Sequence, residues 1–561
     1  MSSANNPDTK MGVIGFLKRK KFILVSVAVL VWLIAHSAGI AYGTNDVPLH
    51  QSYIGDEQAS VNGALHMLDS RSIFGFRNLT TFYYGPIFAV IDTPAIVLDF
   101  AGKYATGVVH SAQAYRDYII YDWGGIVYNL HVTAVLASLL GLYAAYCLMK
   151  TRTMNPSGRR WLPYLSVGLV AVNFYFFEYS HFAKHWTFII PLILLQYYSF
   201  IRISETDGAR ERYWLIHSLA TVLIFGISYV GILSLVMWLP WLIGIVRRRD
   251  TALLRRFVAY SLVMLAGFVV MIAWDPYPFV RDISFLGVGT PKGGMDTTQN
   301  PLYFADNSIL WYGTLIVLND LGLVLAFILL FGSLCLKKIW RSHALWSLLL
   351  PALGFFFLFA LPSHHEGRYM LPTIVLLILA TGYLLSEYAV HRDEIGPKAW
   401  RPLLRTSLVT LLACYTAFQI VVDAEWITTY AKGPPEKQAI AEILDLQKTG
   451  APVLVVQNYI LGQPHDKASY DAYIAKSAKQ DVNLYQAIMA TDPPASLALL
   501  NVRYDFQVEF AADPSIIKRY PHVIVQYVPI PDQINQFDYF DENVMLLWYH
   551  DDLSPSYTVL K

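Results

Sequence analysis

The chain has 561 residues, 55% of them hydrophobic and only 15% charged, with a net charge of +1. A soluble chain of this length ordinarily carries about a quarter charged residues, so a water-facing surface is excluded as the setting for most of the sequence. The near-neutral balance, with no basic stripe and interleaved aromatics, gives no footprint for nucleic acid.

The apolar residues come in runs. Residues 1–21 end in Lys18-Arg19-Lys20-Lys21 and precede the apolar stretch 22–41. That stretch is long for the core of a signal peptide and no small-x-small site follows it, so it reads as a retained first helix. Further runs lie at 125–149, 161–177, 185–201, 213–229, 231–246, 257–274, 309–334, 344–361, 369–388 and 406–422. A helix of about twenty apolar residues crosses roughly 30 Å of hydrocarbon. Basic clusters fall at 18–21, Lys150 to Arg160, Arg202 to Arg212, Arg247 to Arg256, Lys337 to Arg341 and Arg392 to Arg405. Basic residues near helix ends mark the cytoplasmic side, and two crossings between successive clusters place all six there. The result is about eleven spans with the N-terminus inside and the C-terminus outside.

The segment 86–102 also reads as apolar but contains Asp92, Pro94 and Asp99. Counted as a span, it would move the Lys150 to Arg160 cluster to the outside. It is therefore placed as a helix at the membrane interface, within an external loop 43–124; a twelfth span, offset by a missed one elsewhere, is the alternative. Residues 423–561 lose the apolar runs. They show Pro434-Pro435, an amphipathic stretch 436–448 with Gly450 as its stop, and strand-like pieces at 452–457, 521–528 and 544–549. The fold class read from this pattern is an all-α polytopic membrane protein over 1–422, with a small external α/β domain over 423–561. Cys147, Cys335 and Cys414 all lie in apolar runs, which supports neither a disulfide framework nor a zinc site. No P-loop or GxGxxG occurs, which argues against an ATP-driven pump.

Three polar segments collect on the external side. Tyr53-Ile54-Gly55-Asp56-Glu57 follows the first span. Glu178 to His185 forms a tight turn between the third and fourth spans. Ser363-His364-His365-Glu366-Gly367-Arg368-Tyr369 opens a later one. Ionisable groups at the edge of hydrocarbon are costly and mark a functional site by default. Asp56 and Glu57 start a helical run with Val61, Leu65 and Leu68 at helical spacing, so Asp56 could be an N-cap; a carboxylate at a cavity mouth could equally be a general base. Lys184 and His185 could snorkel toward head groups. Arg368 stands on the face where the charge rule does not expect it: either an interfacial anchor, or a planar fork suited to a phosphate. His364, His365 and Glu366 could bind substrate or a metal, although adjacent histidines on a loop more often do not.

Together these residues resemble a family. The charged N-terminus and first span, the Asp56-Glu57 pair, Tyr179-Ser-His-Phe-Ala-Lys-His-Trp and His364-His365-Glu366-Gly367-Arg368-Tyr369-Met370-Leu371-Pro372 resemble the GT-C superfamily of membrane glycosyltransferases. The nearest branch is the one related to protein O-mannosyltransferases and aminoarabinose transferase. The likeness covers about the first 420 residues; the turn at 181–185 carries Lys-His where related proteins often carry Arg followed by Asp. The resemblance implies transfer of a sugar from a polyprenyl-phosphate donor to a glycan, lipid or protein acceptor on the extracytoplasmic face. It implies Asp56 as general base, Glu57 orienting, and Arg368, Lys184, His185 and Tyr369 at the donor phosphate. It names no certain cofactor, leaves a divalent metal open, and favours the plasma membrane over the endoplasmic reticulum. The rival class is a transporter or flippase of a lipid-linked or anionic substrate. Repeated halves and mid-membrane charges would mark that class, and neither is read here.

Overall fold

Backbone polar groups in hydrocarbon must be satisfied within their own segment, so long apolar runs fold as helices. The computed structural model describes residues 25–41, 56–75, 77, 84–119, 124–277, 279–280, 308–335, 339–360, 367–395 and 398–432, and four strands at 453–457, 496–502, 522–527 and 556–559. Its helices are α1 (Val25–Ala41), α2 (Asp56–Asp69), α3 (Pro86–Ala105), α4 (Ala112–Ile119), α5 (Gly124–Met149), α6 (Leu162–Ala171), α7 (Phe174–Tyr179), α8 (His185–Glu205), α9 (Glu211–Ile227) and α10 (Leu239–Arg248). They continue as α11 (Thr251–Trp274), α12 (Ser308–Cys335), α13 (His343–Ala360), α14 (Leu371–His391) and α15 (Trp400–Lys432). Among the described residues seven helical segments are long and apolar enough to cross a bilayer, and α1, α6 and α13 add shorter apolar helices. The chain is an integral membrane protein of helical type.

Every expected span has a helix, with two corrections. The run 161–177 is not one helix: it breaks at Asn173, whose side chain accepts from the Phe176 N–H at 3.2 Å and so caps α7 as a new start. Asparagine is among the preferred N-caps, and that preference overrides the apolar continuity on either side. The run 231–246 opens as a 3-10 helix, Tyr229–Trp238, and turns α-helical only at Leu239, where Pro240 sits in the first turn. In addition, α12 is kinked at Asp320, which has φ −119° and ψ 24°.

Contacts between helix ends show which ends lie together. At one end of the bundle the Thr153 N–H donates to Glu205 Oε1 at 2.9 Å, Arg256 donates to Gly208 O at 2.5 Å, and the Ser157 N–H donates to Ser386 Oγ at 3.0 Å. These ends adjoin the basic clusters. At the other end His131 lies 5.6 Å from the Phe182 ring, and Trp186 lies 6.3 Å from that of Tyr369.

Among the described residues, both ends of helix α3 meet the ends of neighbouring helices. The Gly85 N–H, just before it, donates to Ile227 O at 3.0 Å, where α9 finishes. Asn129, near the start of α5, donates to Ala95 O at 3.2 Å. Its buried face is Phe88, Asp92, Ala95, Ile96 and Asp99, spaced as one side of a helix, while Val90, Val97 and Leu98 are exposed. Among the described elements α3 packs chiefly on α2, α5 and α9.

The sheet has strands β1 (Val453–Gln457), β2 (Ser496–Val502), β3 (His522–Tyr527) and β4 (Ser556–Val559) in that order. The β1–β2 and β2–β3 pairs are parallel, with Val453 opposite Ser496 and Leu497 opposite Val523, and β4 runs antiparallel to β3. Parallel neighbours need crossover connections, as in an α/β arrangement. Strands β1 and β3 match the expected 452–457 and 521–528; β2 and β4 were not foreseen. The expected strand 544–549 and helix 436–448 lie outside the described residues.

Candidate functional site

The turn between α7 and α8 is built almost entirely inside the protein. Every residue of α7 is buried, including Glu178, and Ser180, His181, Lys184 and His185 are buried after it. Thr187, in the first turn of α8, bonds to the Tyr179 carbonyl and donates to Phe182 O at 2.7 Å, pinning both ends of the turn. The Ser180 hydroxyl donates to Phe177 O at 2.6 Å and meets the His36 ring of α1. His36 and His181 ring centres are 5.5 Å apart. Burial, reinforced by the His36 and His131 rings, holds the His181 imidazole well below its ordinary pKa.

Lys184 is 1% exposed. A snorkelling lysine keeps its ammonium in water, so that reading of Lys184 is set aside: the charge is enclosed, and an enclosed charge needs compensation from neighbours or a ligand. His185 lies between two aromatic rings, with centroids 4.7 Å from Tyr84 and 4.4 Å from Trp186. Trp186 meets Phe359 at 5.5 Å, and Tyr369 stacks on Phe359 at 4.6 Å and 14°. The segment before α3, the turn, and the start of α14 are thus joined through one aromatic cluster.

Asp56 and Glu57 form the opening of α2, where the exposed N–H groups favour anions. Helix α2 packs on α3 through Val61, Ala64 and Met67; Leu68, expected on that face, is exposed instead. Asp69, its last residue, pairs with Arg116 of α4 at 2.6 Å. Arg368 lies in the 3-10 turn Gly367–Met370 that leads into α14. His364, His365 and Glu366 fall outside the described residues. Among the described residues no three His, Cys, Asp or Glu side chains gather as a metal-ligand set.

Sequence reasoning missed the polar network that holds the turn. Asn173 donates to Asp320 Oδ1 and to the Tyr415 hydroxyl, both at 3.0 Å. Gln419 accepts from the Phe174 N–H at 2.7 Å and donates to Asn319 O at 2.8 Å, while Asn319 donates to the Tyr175 hydroxyl at 2.9 Å. Helix α7 is thereby fixed to the kink of α12 and to α15. The signal was available: Asn319-Asp320 interrupts an apolar run, and polar residues at membrane depth rarely lack a role.

No family model and no curated protein matches the chain. Two solved structures are similar in overall path. One is ArnT from Cupriavidus metallidurans in the apo state, 14% identical with a TM-score of 0.47, covering 92% of this chain and 94% of that one. The other is ArnT from the same organism bound to undecaprenyl phosphate, 13% identical with a TM-score of 0.43, covering 95% of each chain.

Proposed function

We propose that this protein is a membrane glycosyltransferase that takes a sugar from a polyprenyl-phosphate carrier on the extracytoplasmic face, with the basic ends of its helices cytoplasmic. The observation that carries this reading is the aromatic cluster at one bundle end. Tyr84, His185, Trp186, Phe359 and Tyr369 bring the buried Lys184 turn beside the turn that carries Arg368. The buried Lys184 and the turn that carries Arg368, at the end of the bundle away from the basic clusters, suit an anionic lipid head group.

In the reaction, an acceptor hydroxyl attacks the anomeric carbon. A new C–O bond forms there, the bond from that carbon to the phosphate oxygen breaks, and its electron pair leaves with the phosphate. The leaving group is already an anion, so it needs cations rather than a general acid: Arg368 with Lys184 and His185 stabilises the charge developing on it, and Tyr369 lines the site. The acceptor is a weak nucleophile and needs a base; Asp56 takes its proton, and Glu57 orients Asp56 or the acceptor. Attack opposite the phosphate inverts the anomeric centre.

Arg368→Ala should weaken binding of a synthetic polyprenyl phosphate by about tenfold to a hundredfold, the range for a lost hydrogen bond to a charged group. Arg368→Lys should recover only part of this, since lysine lacks the planar fork. Titration of the detergent-solubilised protein measures both. Wild-type affinity in both folded variants would reduce Arg368 to an interfacial anchor.

A further inference from the structure

A second polar site lies at the other end of α3, which carries the chain about 20 Å from Gly85, beside Ile227, to Asp99, beside the start of α5. There the structure has a cavity of about 410 Å³, a size typical of small-ligand sites. Asp99, Gly102, Lys103, Gly125 and Tyr128 form its walls. Its charges are already balanced. Lys103 donates to both oxygens of Asp99, at 2.8 and 2.7 Å, and the Tyr115 hydroxyl donates to Asp99 Oδ2 at 2.8 Å. The Lys103 ammonium also lies 4.6 Å over the Tyr118 ring. The pair is mostly enclosed, with the side chains 14% and 7% exposed. Glycine at 125 permits this approach: a Cβ there would fall 1.9 Å from Asp99 Oδ1.

The mouth of the cavity shows what could enter. Tyr128 forms part of its wall and also begins an exposed apolar stripe down α5, continued by Leu136, Leu140 and Tyr143 on the same side of the helix. Val97, Leu98 and Tyr104 are exposed on the outer side of α3. A stripe of this kind on a membrane-spanning helix faces lipid chains, and Tyr128, in the cavity wall near the start of α5, marks head-group level. The cavity therefore stands where a lipid lying along α5 would place its head group. Its lining holds one cation and one anion side by side, complementary to a ligand with the same pair. A purely anionic head group would meet the Asp99 carboxylate, and a soluble zwitterion would leave the stripe unused.

We propose that this cavity binds the head group of a zwitterionic phospholipid with a primary ammonium, its phosphate toward Lys103, its ammonium toward Asp99 and its chains along α5. The ammonium, unlike a trimethylated one, has hydrogens to donate to a carboxylate that is closely hemmed in. Such a lipid would fasten α3 and α4 to the membrane surface. The proposal does not depend on sugar transfer, since no residue of the donor site takes part in it.

The test uses the full chain in detergent, with melting temperature measured on adding phosphatidylethanolamine, phosphatidylcholine, phosphatidylglycerol or free phosphoethanolamine. Ligand that binds only the folded state raises the melting temperature. Phosphatidylethanolamine should raise it by several degrees and the other three by much less. Gly102→Leu is the decisive variant. A Cβ at Gly102 meets nothing within 4 Å, so a leucine there has an open start into the cavity and suits a helix better than glycine. It should melt like wild type or higher without lipid and lose the phosphatidylethanolamine shift; Lys103→Gln, if folded, should lose it too. An undiminished shift in Gly102→Leu would overturn the proposal, as would equal shifts for all three lipids. An equal shift from free phosphoethanolamine would overturn the lipid as its source.

Discussion

Asp56→Asn is expected to give a folded protein that binds donor and scarcely transfers sugar. Loss of a positioned general base typically slows the step by about 10² to 10⁴, or roughly 3 to 5 kcal/mol of barrier. Asp56 is the first residue of α2, where a carboxylate gains about 0.3 to 1 kcal/mol from the helix dipole. Asp56→Asn and Asp56→Ala both remove that charge and should cost at most about 1 kcal/mol of stability. The two variants should thus agree in melting temperature and in activity. Donor affinity should survive in both, because the phosphate contacts are assigned to the 178–185 turn and the start of α14. Transfer by Asp56→Asn at near the wild-type rate would leave Asp56 as a carboxylate favoured only by the start of α2, with Glu57 or Asp117 as the next carboxylate to examine.

Trp186→Ala is expected to cost about 3 to 5 kcal/mol of stability, the range for removing a buried large aromatic, and to weaken donor binding with it. Trp186 is fully buried and touches the His185, Phe355, Phe359 and Tyr369 rings. It is the joint between the turn and α14, so its loss frees Lys184 and Arg368 from a common register. A control separates the two effects. Trp214 is equally buried, stacked on Trp238 and Tyr260, and its indole N–H donates to Gly208 O at the basic end of the bundle. Trp214→Ala should destabilise comparably and leave donor affinity intact when measured well below the melting temperature. Equal affinity losses in the two variants would mean that Trp186 acts only through stability.

The membrane helices were legible in the sequence because hydrocarbon imposes one rule on long runs, and 125–149 or 369–388 can obey it in one way. That 86–102 forms a helix was legible in its apolar residues; that Asp92 and Asp99 lie on its buried face with Phe88 and Ala95 was not. The break at Asn173 was hidden by the apolar residues around it, because hydropathy averages over a single cap. Burial of Lys184 was equally hidden; a lysine at a helix start reads the same whether its tip meets water or protein. The network of Asn173, Asn319, Asp320, Tyr415 and Gln419 joins residues up to 245 positions apart, and only the packing of α7, α12 and α15 assembles it. The strands Ser496–Val502 and Ser556–Val559 carry no alternation strong enough to announce themselves without their neighbours in the sheet. The meeting of His185 and Tyr369 in one cluster was foreseen only as two polar segments on one face; the aromatic joint between them, and Tyr84 within it, was not.

The central claim is that this protein handles a sugar on a polyprenyl-phosphate carrier, and mass spectrometry of lipid copurifying with the detergent-extracted chain tests it most directly. The predicted result is a polyprenyl-phosphate sugar, or the bare polyprenyl phosphate, retained by wild type and Asp56→Asn and depleted in Arg368→Ala. Absence of any polyprenyl phosphate from wild type, together with no binding when the lipid is supplied, would contradict the account and return the protein to the transporter class.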